Sequence, residues 1–354
     1  MTSNVATGPG EGARAYSSTS PGRESGGAKM NQSRWRALLR KPETSSFLIL
    51  CLAIVFFTLA NDRFLSPLNL SNLLAFLPEL GIIALGMTLL LTAGEFDLSV
   101  GAVFAFCPVI SLLLTQHAAI DLGMALVIGF AFTAVIGLAN GLFVTKIGIS
   151  SFLVTLAMLL LVRGSTLFAT QGFPLASFSG DSILRTLLAG SFYVGQVRLH
   201  ASIIWFAALA VLAYYVLNYS KLGNWISAVG SNRNAAIARG VPADAVKIAL
   251  FVITSLLAAL AGTISALRIA SASPVAGDQY ELEVIAMVVV GGTALTGGRG
   301  TIIGTIIGVF LLRIIRNGIV LVGVPGLAFN IFVGGLILVM LVVHSLVHKR
   351  SARA

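Results

Sequence analysis

Charge is scarce in this sequence. Asp, Glu, Lys and Arg together make up only 10% of its 354 residues, whereas an ordinary soluble domain carries about 25%. With a hydrophobic content of 57% and a mean hydropathy of +0.95, the chain cannot cover its exterior with polar groups, and lipid must do so instead. Cysteine is almost missing. Cys51 and Cys107 both sit in apolar runs and read as buried free thiols, not as a disulfide or a metal pair. The four histidines, His117, His200, His344 and His348, form no H-E-x-x-H and no grouping with ligand spacing, which argues against a metal site and an intramembrane enzyme. A phosphate-cradling G-x-x-x-x-G-K-[ST] is also missing: after Gly292 and Gly297 the position that needs Lys is Gly298. The chain is therefore expected to bind no nucleotide or other cofactor by that route. Net charge is +10, yet no basic stripe with interleaved aromatics occurs, so no nucleic-acid partner is expected.

What the sequence has in abundance is glycine, 37 residues, and long apolar runs. Small residues let membrane helices approach closely. The composition predicts an all-α integral membrane protein, with the lipid bilayer as its main surroundings. Residues 1–44, rich in Gly, Ser, Thr and Ala, predict a disordered cytoplasmic tail. A span needs about 20 apolar residues, and ten candidate spans are read at 45–60, 76–94, 97–115, 122–144, 150–169, 201–217, 248–267, 283–297, 301–316 and 328–347.

Alternate threading of these spans tests the reading. Arg34, Arg36, Arg40 and Lys41 precede the first run and hold the N-terminus in the cytoplasm by the positive-inside rule. Inner loops then carry Lys146, Lys221, Arg233, Arg239, Lys247 and Arg299, and a basic tail, 348–354, carries Lys349, Arg350 and Arg353. Both termini are thus expected to be cytoplasmic. Outer loops carry Asp62, Glu79, Asp121, Asp181, Asp278, Glu281 and Glu283, with Arg63, Arg185, Arg198 and Arg268 as the minority basic residues. Residues 170–200 should lie outside with a short surface helix, and 218–247 inside as a solvated loop.

Three segments could carry function. In Ala228–Val241, Ser231 can cap a helix, Ala235 and Ala236 favour it, and Gly240 suits its end. Gly230, Ser231, Asn232, Arg233, Asn234, Ala235, Ala236 and Gly240 then form a two-turn helix that either docks in a cleft of another protein or merely connects spans. In Thr92–Gly101, Glu95 and Asp97 stand beside a span, where carboxylates are costly unless paired, capping or wet. Asp97 either caps the next helix or, with Glu95, Ser99 and Gly101, lines a helix break facing a path. Arg163 lies deep in the fifth run, with Glu95 or Asp97 as expected partners and snorkelling as the competing reading. Arg313 and Arg316 are expected to snorkel or pair. The third segment is Tyr280–Gly300, where Gly291, Gly292 and Thr293 begin a glycine-dense stretch that serves close packing or gating. A short echo, Leu91–Gly94 against Leu295–Gly298, hints at the internal repeats common in transporters.

Taken in order, these motifs resemble the permease subunits of ribose-type ABC sugar importers, in the superfamily that also holds branched-chain amino-acid permeases. The resemblance covers about residues 45–347. Gly94-Glu-Phe-Asp-Leu-Ser-Val-Gly101 resembles G-I-D-L-S-V-G, with Glu95 and Phe96 where an uncharged pair is common. Ala228–Ala236 resembles A-V-G-x-N-x-x-A-A, and Tyr280–Gly300 resembles Y-E-L-x-x-I-A…G-G-T…G-G-x-G. Ser150–Gly164, with Arg163, also resembles a family segment. The resemblance implies a multi-pass protein of the bacterial plasma (inner) membrane that imports a monosaccharide or related polyol. It implies a second permease subunit, homo- or heterodimeric, a cytoplasmic ABC ATPase that uses the ATP, and an extracytoplasmic sugar-binding protein. The loop 218–247 would then contain the ATPase-coupling helix. The alternative from another class is a secondary transporter driven by an ion gradient, which would need paired intramembrane ionisable groups.

Overall fold

A computed structural model describes residues 42–176 and 183–325, together with 328, 331, 332, 334, 335 and 338. Its helices are α1 (Pro42–Ala60), α2 (Pro67–Thr92), α3 (Val100–His117), α4 (Leu122–Leu142), α5 (Ser151–Thr170), α6 (Ile183–Ala189), α7 (Ala201–Tyr219), α8 (Lys221–Ser231), α9 (Arg233–Ala238), α10 (Ala243–Ile269), α11 (Tyr280–Val290) and α12 (Ile302–Leu321). Short strands β1 (Leu175–Ala176) and β4 (Ser271–Ala272) pair antiparallel, and β2 (Ser191–Val194) forms a hairpin with β3 (Val197–His200). Eight helices among the described residues are long and apolar enough to cross a bilayer. The expected span at 328–347 falls almost wholly outside the described residues, as do most of the two tails.

The expected span at 283–297 takes a different form. Helix α11 has 11 residues, about 16 Å at about 1.5 Å each, against a hydrocarbon core of about 30 Å. It is a half-length helix, and residues 291–301 that follow it are turns and loop. Hydropathy could not separate the two, because uncharged Gly, Ala, Leu and Thr continue past the point where the helical hydrogen bonds stop.

Helix α2 is the axis of the fold. Ser66 Oγ caps it by accepting the Asn69 N–H at 3.3 Å, and Pro67 occupies the first turn, where no donor is needed. It therefore begins well before the expected residue 76. Every residue from Leu77 to Thr92 is buried, as an apolar helix must be when protein surrounds it. Its polar residues are satisfied locally or across the interface: Thr88 and Thr92 donate to the carbonyls of Ala84 and Thr88, and Thr88 and Thr305 share a hydrogen bond of 2.6 Å. By contrast α1 presents Phe47, Leu48, Leu52, Val55, Phe56 and Leu59 outward, an exterior suited to lipid.

Glu79 and Arg268, both expected in outer loops, belong to helices. Glu79 lies within α2 at 1% exposure, and Arg268, in the last turn of α10, reaches it at 2.6 Å. The guanidinium also sits 4.2 Å from the centre of the Phe76 ring. Arg313 donates to the Phe76 carbonyl at 2.9 Å and Arg316 pairs with Glu283 at 3.0 Å, so both are paired as expected.

Helix ends sort onto two faces. One carries residues 61–66, 118–121, 171–176 and 183–200, with the expected short helix present as α6; Arg198 N–H donates to Ser71 Oγ here at 2.8 Å. The other carries the α4–α5 turn, α8, α9 and 291–300, with Lys146, Lys221, Arg233, Arg239 and Arg299. Lys247, expected in that loop, is instead buried in α10.

The Glu79–Arg268 pair should dominate stability locally. Glu79→Gln is expected to destabilise the protein by about 3–5 kcal/mol, because it leaves a buried guanidinium uncompensated. Thermal unfolding in detergent should show that loss, with most of it recovered in the double variant Glu79→Leu, Arg268→Met.

Candidate functional site

The loop between α7 and α10 folds as two helices. Ser220 Oγ caps α8 by accepting the Gly223 N–H at 3.2 Å. Asn232 then breaks the helix in extended backbone and caps α9, its Oδ1 accepting the Ala235 N–H at 3.0 Å. Asn232, not Ser231, is the cap: Ser231 is the last residue of α8. Gly240 ends the segment at φ +80°, the left-handed conformation expected of it. The loop is less solvated than expected, since Gly223, Ile226 and Val229 of α8 are buried. Ala236 is buried too, packed with Val229, Ala243, Ala228 and Val241. The exposed face of α9 is thus Arg233, Asn234, Ala235, Ile237 and Ala238. Arg233 pairs with Asp244 at 2.7 Å and Lys146 reaches the same carboxylate at 2.9 Å, which ties α9 to the ends of α10 and α4.

The break between α2 and α3 begins at Gly94, φ +84°. Glu95 pairs with Lys247 of α10 at 2.5 Å, which accounts for the charge where the resemblance expects an uncharged residue. Asp97 is buried; its Oδ1 accepts the Ser99 N–H at 2.8 Å and the Ser99 hydroxyl at 2.6 Å. It therefore organises the turn that leads into α3 without bonding the helix's own first amides. Asn140 of α4 donates to Ser99 Oγ at 3.0 Å. No sequence motif marked Asn140, because its partners lie in another helix.

The second break, after α11, turns at Gly291 and Gly292. Gly291 backs onto the carbonyl of Gly304, and Thr293 is buried with its hydroxyl accepting the Thr301 N–H at 3.4 Å. The two breaks and the α8–α9 loop then meet. The Thr92 carbonyl accepts the Gly298 N–H at 2.8 Å. Gly230 of α8 lies against that carbonyl, Gly297 against Gly94 and Gly230, and Gly298 against the Ser231 side chain. Any Cβ at Gly230 would collide with Thr92 O, so close approach explains this glycine. The two halves of the sequence echo, Leu91–Gly94 and Leu295–Gly298, are here in direct contact.

Arg163 does not join this assembly. Its Nη1 donates to the carbonyls of Pro274 and Ala276, each at 2.8 Å, and neither Glu95 nor Asp97 is its partner. Those carbonyls belong to an irregular turn whose oxygens no hydrophobicity pattern could reveal as a target. Gly101, at the start of α3, lies against the Gly277 carbonyl and the Glu281 carboxylate.

On the opposite face, a cavity of about 720 Å³ is lined by Ser71, Asn72, Phe76, Tyr193, Arg198 and His200 among others. Burial lowers the His200 pKa below its ordinary value, opposed by the Ala189 carbonyl. His200 is accordingly neutral at pH 7, and Arg198 supplies the cavity's accessible positive charge.

The sequence has relatives among known proteins. The family profile described as "Branched-chain amino acid transport system / permease component" matches residues 69–341. The ribose import permease protein RbsC of Bacillus subtilis (strain 168) is 36% identical over 306 residues, 86% of this chain and 92% of that protein. The RbsC of Escherichia coli (strain K12) is 35% identical, over 80% of this chain and 87% of its own. The xylose/arabinose import permease protein XylH of Sulfolobus acidocaldarius is 33% identical, over 86% and 85%. No solved structure matches significantly.

The α9 geometry separates two neighbouring alanines. Ala236→Trp should overpack the small cluster beneath the helix, costing about 1–3 kcal/mol locally, and speed proteolytic cleavage within 232–242. Ala235→Trp should leave the cleavage rate unchanged.

Proposed function

Because this chain belongs to the permease-component family of the branched-chain amino acid transport systems, we propose that it is the membrane translocation subunit of an ATP-driven importer for a monosaccharide or related polyol. The relatives at 33–36% identity carry the names of ribose and xylose/arabinose import permeases, which supports the substrate class. The protein is a multi-pass protein of the bacterial inner membrane, in keeping with its family and its eight apolar helices.

The observation that carries the mechanism is the position of α8 and α9. They stand on the face that gathers Lys146, Lys221, Arg233, Arg239 and Arg299, the cytoplasmic face by the positive-inside rule. There α9 offers a short, small-residue surface, Ala235 and Ala238 with Ile237 and Arg233 beside them, sized for a groove on a separate ATPase subunit. At the end that joins α9, α8 touches both helix breaks through Gly230. A displacement of α9 on ATP binding by that ATPase would reach Thr92, Gly94 and Gly298 without an intermediate element, and would bias the membrane subunit between two arrangements.

The remaining partners follow from this reading. A second permease subunit completes the path, and a sugar-binding protein delivers the solute to the face carrying the hairpin and Arg198. This chain binds no cofactor; ATP is consumed by its partner.

Proteoliposomes containing this chain, the ATPase and the sugar-binding protein should accumulate ribose, xylose or galactose only with ATP present. Uptake without the ATPase that is abolished by an uncoupler would establish the ion-driven alternative instead. In the same system Ala235→Trp should abolish copurification of the ATPase, while insertion of the chain into the membrane stays normal.

A further inference from the structure

The turn between β4 and α11 lies deeper than an outer loop. β4 pairs with β1 at the face carrying 171–176 and 183–200, yet a few residues later Gly277 lies against the carbonyl of Gly101. An extended chain advances about 3.3 Å per residue, so the steps from Ala272 to Gly277 can cover about 17 Å. Gly101 stands at the start of α3, which has 18 residues; its path of about 24 Å along the helix is an upper bound on its depth, and the reach of the 272–277 segment limits Gly277 to about 17 Å. The Tyr280 ring also meets that of Phe104, centres 5.1 Å apart. Residues 277–281 are therefore inside a hydrocarbon core of about 30 Å.

At this depth Asp278 and Gln279 are exposed and Glu281 is partly so. Irregular backbone and ionisable side chains do not face lipid inside a bilayer; they are tolerated where protein covers them or where they line water. The turn is also firmly held. Arg163 binds its backbone at Pro274 and Ala276, and Gly101 has no side chain to displace it. Glu281 Oε2 is buried against Gly101 of α3 with no hydrogen-bond partner among the described residues.

We propose that Asp278, Gln279 and Glu281 line a water-filled section of the translocation path and hydrogen-bond the hydroxyls of the passing sugar. Two carboxylates accept hydroxyl protons and an amide both donates and accepts, which suits a neutral polyhydroxylated solute. The section near Glu95 and Asp97 is poorer in such groups, since Lys247 and Ser99 occupy them. Arg163 acts as a positioning residue for the turn.

The proposal rests on the importer reading for its solute but not for its water. In a background carrying Cys51→Ala and Cys107→Ala, single variants Asp278→Cys and Gln279→Cys are assembled with the ATPase in proteoliposomes and treated with a charged, membrane-impermeant thiosulfonate. Both should react on the order of a hundredfold faster than Val55→Cys on the exposed face of α1, because the hydrated thiolate is the reactive species. Rates equal to that of Val55→Cys would overturn the proposal. So would rapid disulfide formation between two copies at position 278 without labelling, which would make the turn a contact between copies. The variants Asp278→Asn and Gln279→Ala should lower the sugar imported per ATP hydrolysed, tested with ribose, xylose and galactose, while ATPase binding persists. If the unmodified protein imports none of the three, the sugar contact fails, and the labelling result still decides whether the turn is wet.

Discussion

Backbone amides and carbonyls have no water to bind inside a bilayer, and each one left open there is costly. This chain interrupts its helices twice where the membrane part meets the face that carries α8 and α9, after Thr92 and after Val290. The interruptions are tolerable because each closes on the other. The Gly298 N–H donates to the Thr92 carbonyl, and Gly94, Gly230, Gly297 and Gly298 bring the backbones close enough for that bond to form. Remove the contact and both breaks would expose unpaired groups at once. The positions of α3, α11 and α12 all follow from where these two breaks are anchored.

The same economy of charge governs the interior. Glu79 meets Arg268, Glu95 meets Lys247, and Glu283 meets Arg316. Each pair joins two elements far apart in the chain, Glu79 and Glu283 from helices and Glu95 from the α2–α3 break, so the few ionised residues act as cross-links between them. The pairs also explain how a chain with so few charged residues can bury several of them. Arg163 serves the same end by binding carbonyls instead of a carboxylate, and it fixes a loop rather than a helix.

Contact between α8 and the breaks gives the soluble and membrane parts a shared boundary. Helix α8 is capped by Ser220 and ended at Asn232. Gly230 cannot yield by rotating a side chain, since it has none. In the proposed mechanism a displacement of α9 therefore meets backbone, and backbone held by one hydrogen bond and close van der Waals contact has few ways to absorb it. On the proposed importer reading, coupling is a property of packing density at this one point.

By itself the sequence determined that the chain lives in lipid, which face is basic, and where the regular helical pattern is interrupted: at 94–101, 228–240 and 280–300. Composition and hydropathy suffice for the first, because solvation depends on residue type and not on contacts. Glycine, carboxylate and capping residues marked the breaks and the loop, because those residue types answer local backbone needs. What the tertiary structure alone decided was partnership. Nothing local distinguishes Glu79 in a helix from Glu79 in a loop until Arg268 is beside it, nor Ala235 from Ala236 until Val229 and Ala243 cover one of them. Helix α11 read as a full span because hydropathy counts apolar residues and cannot see that Gly291 must bend against Gly304. Asn140 and the turn at Asp278 stayed silent for the same reason: their roles depend on depth and on neighbours from other helices, which a linear pattern does not carry.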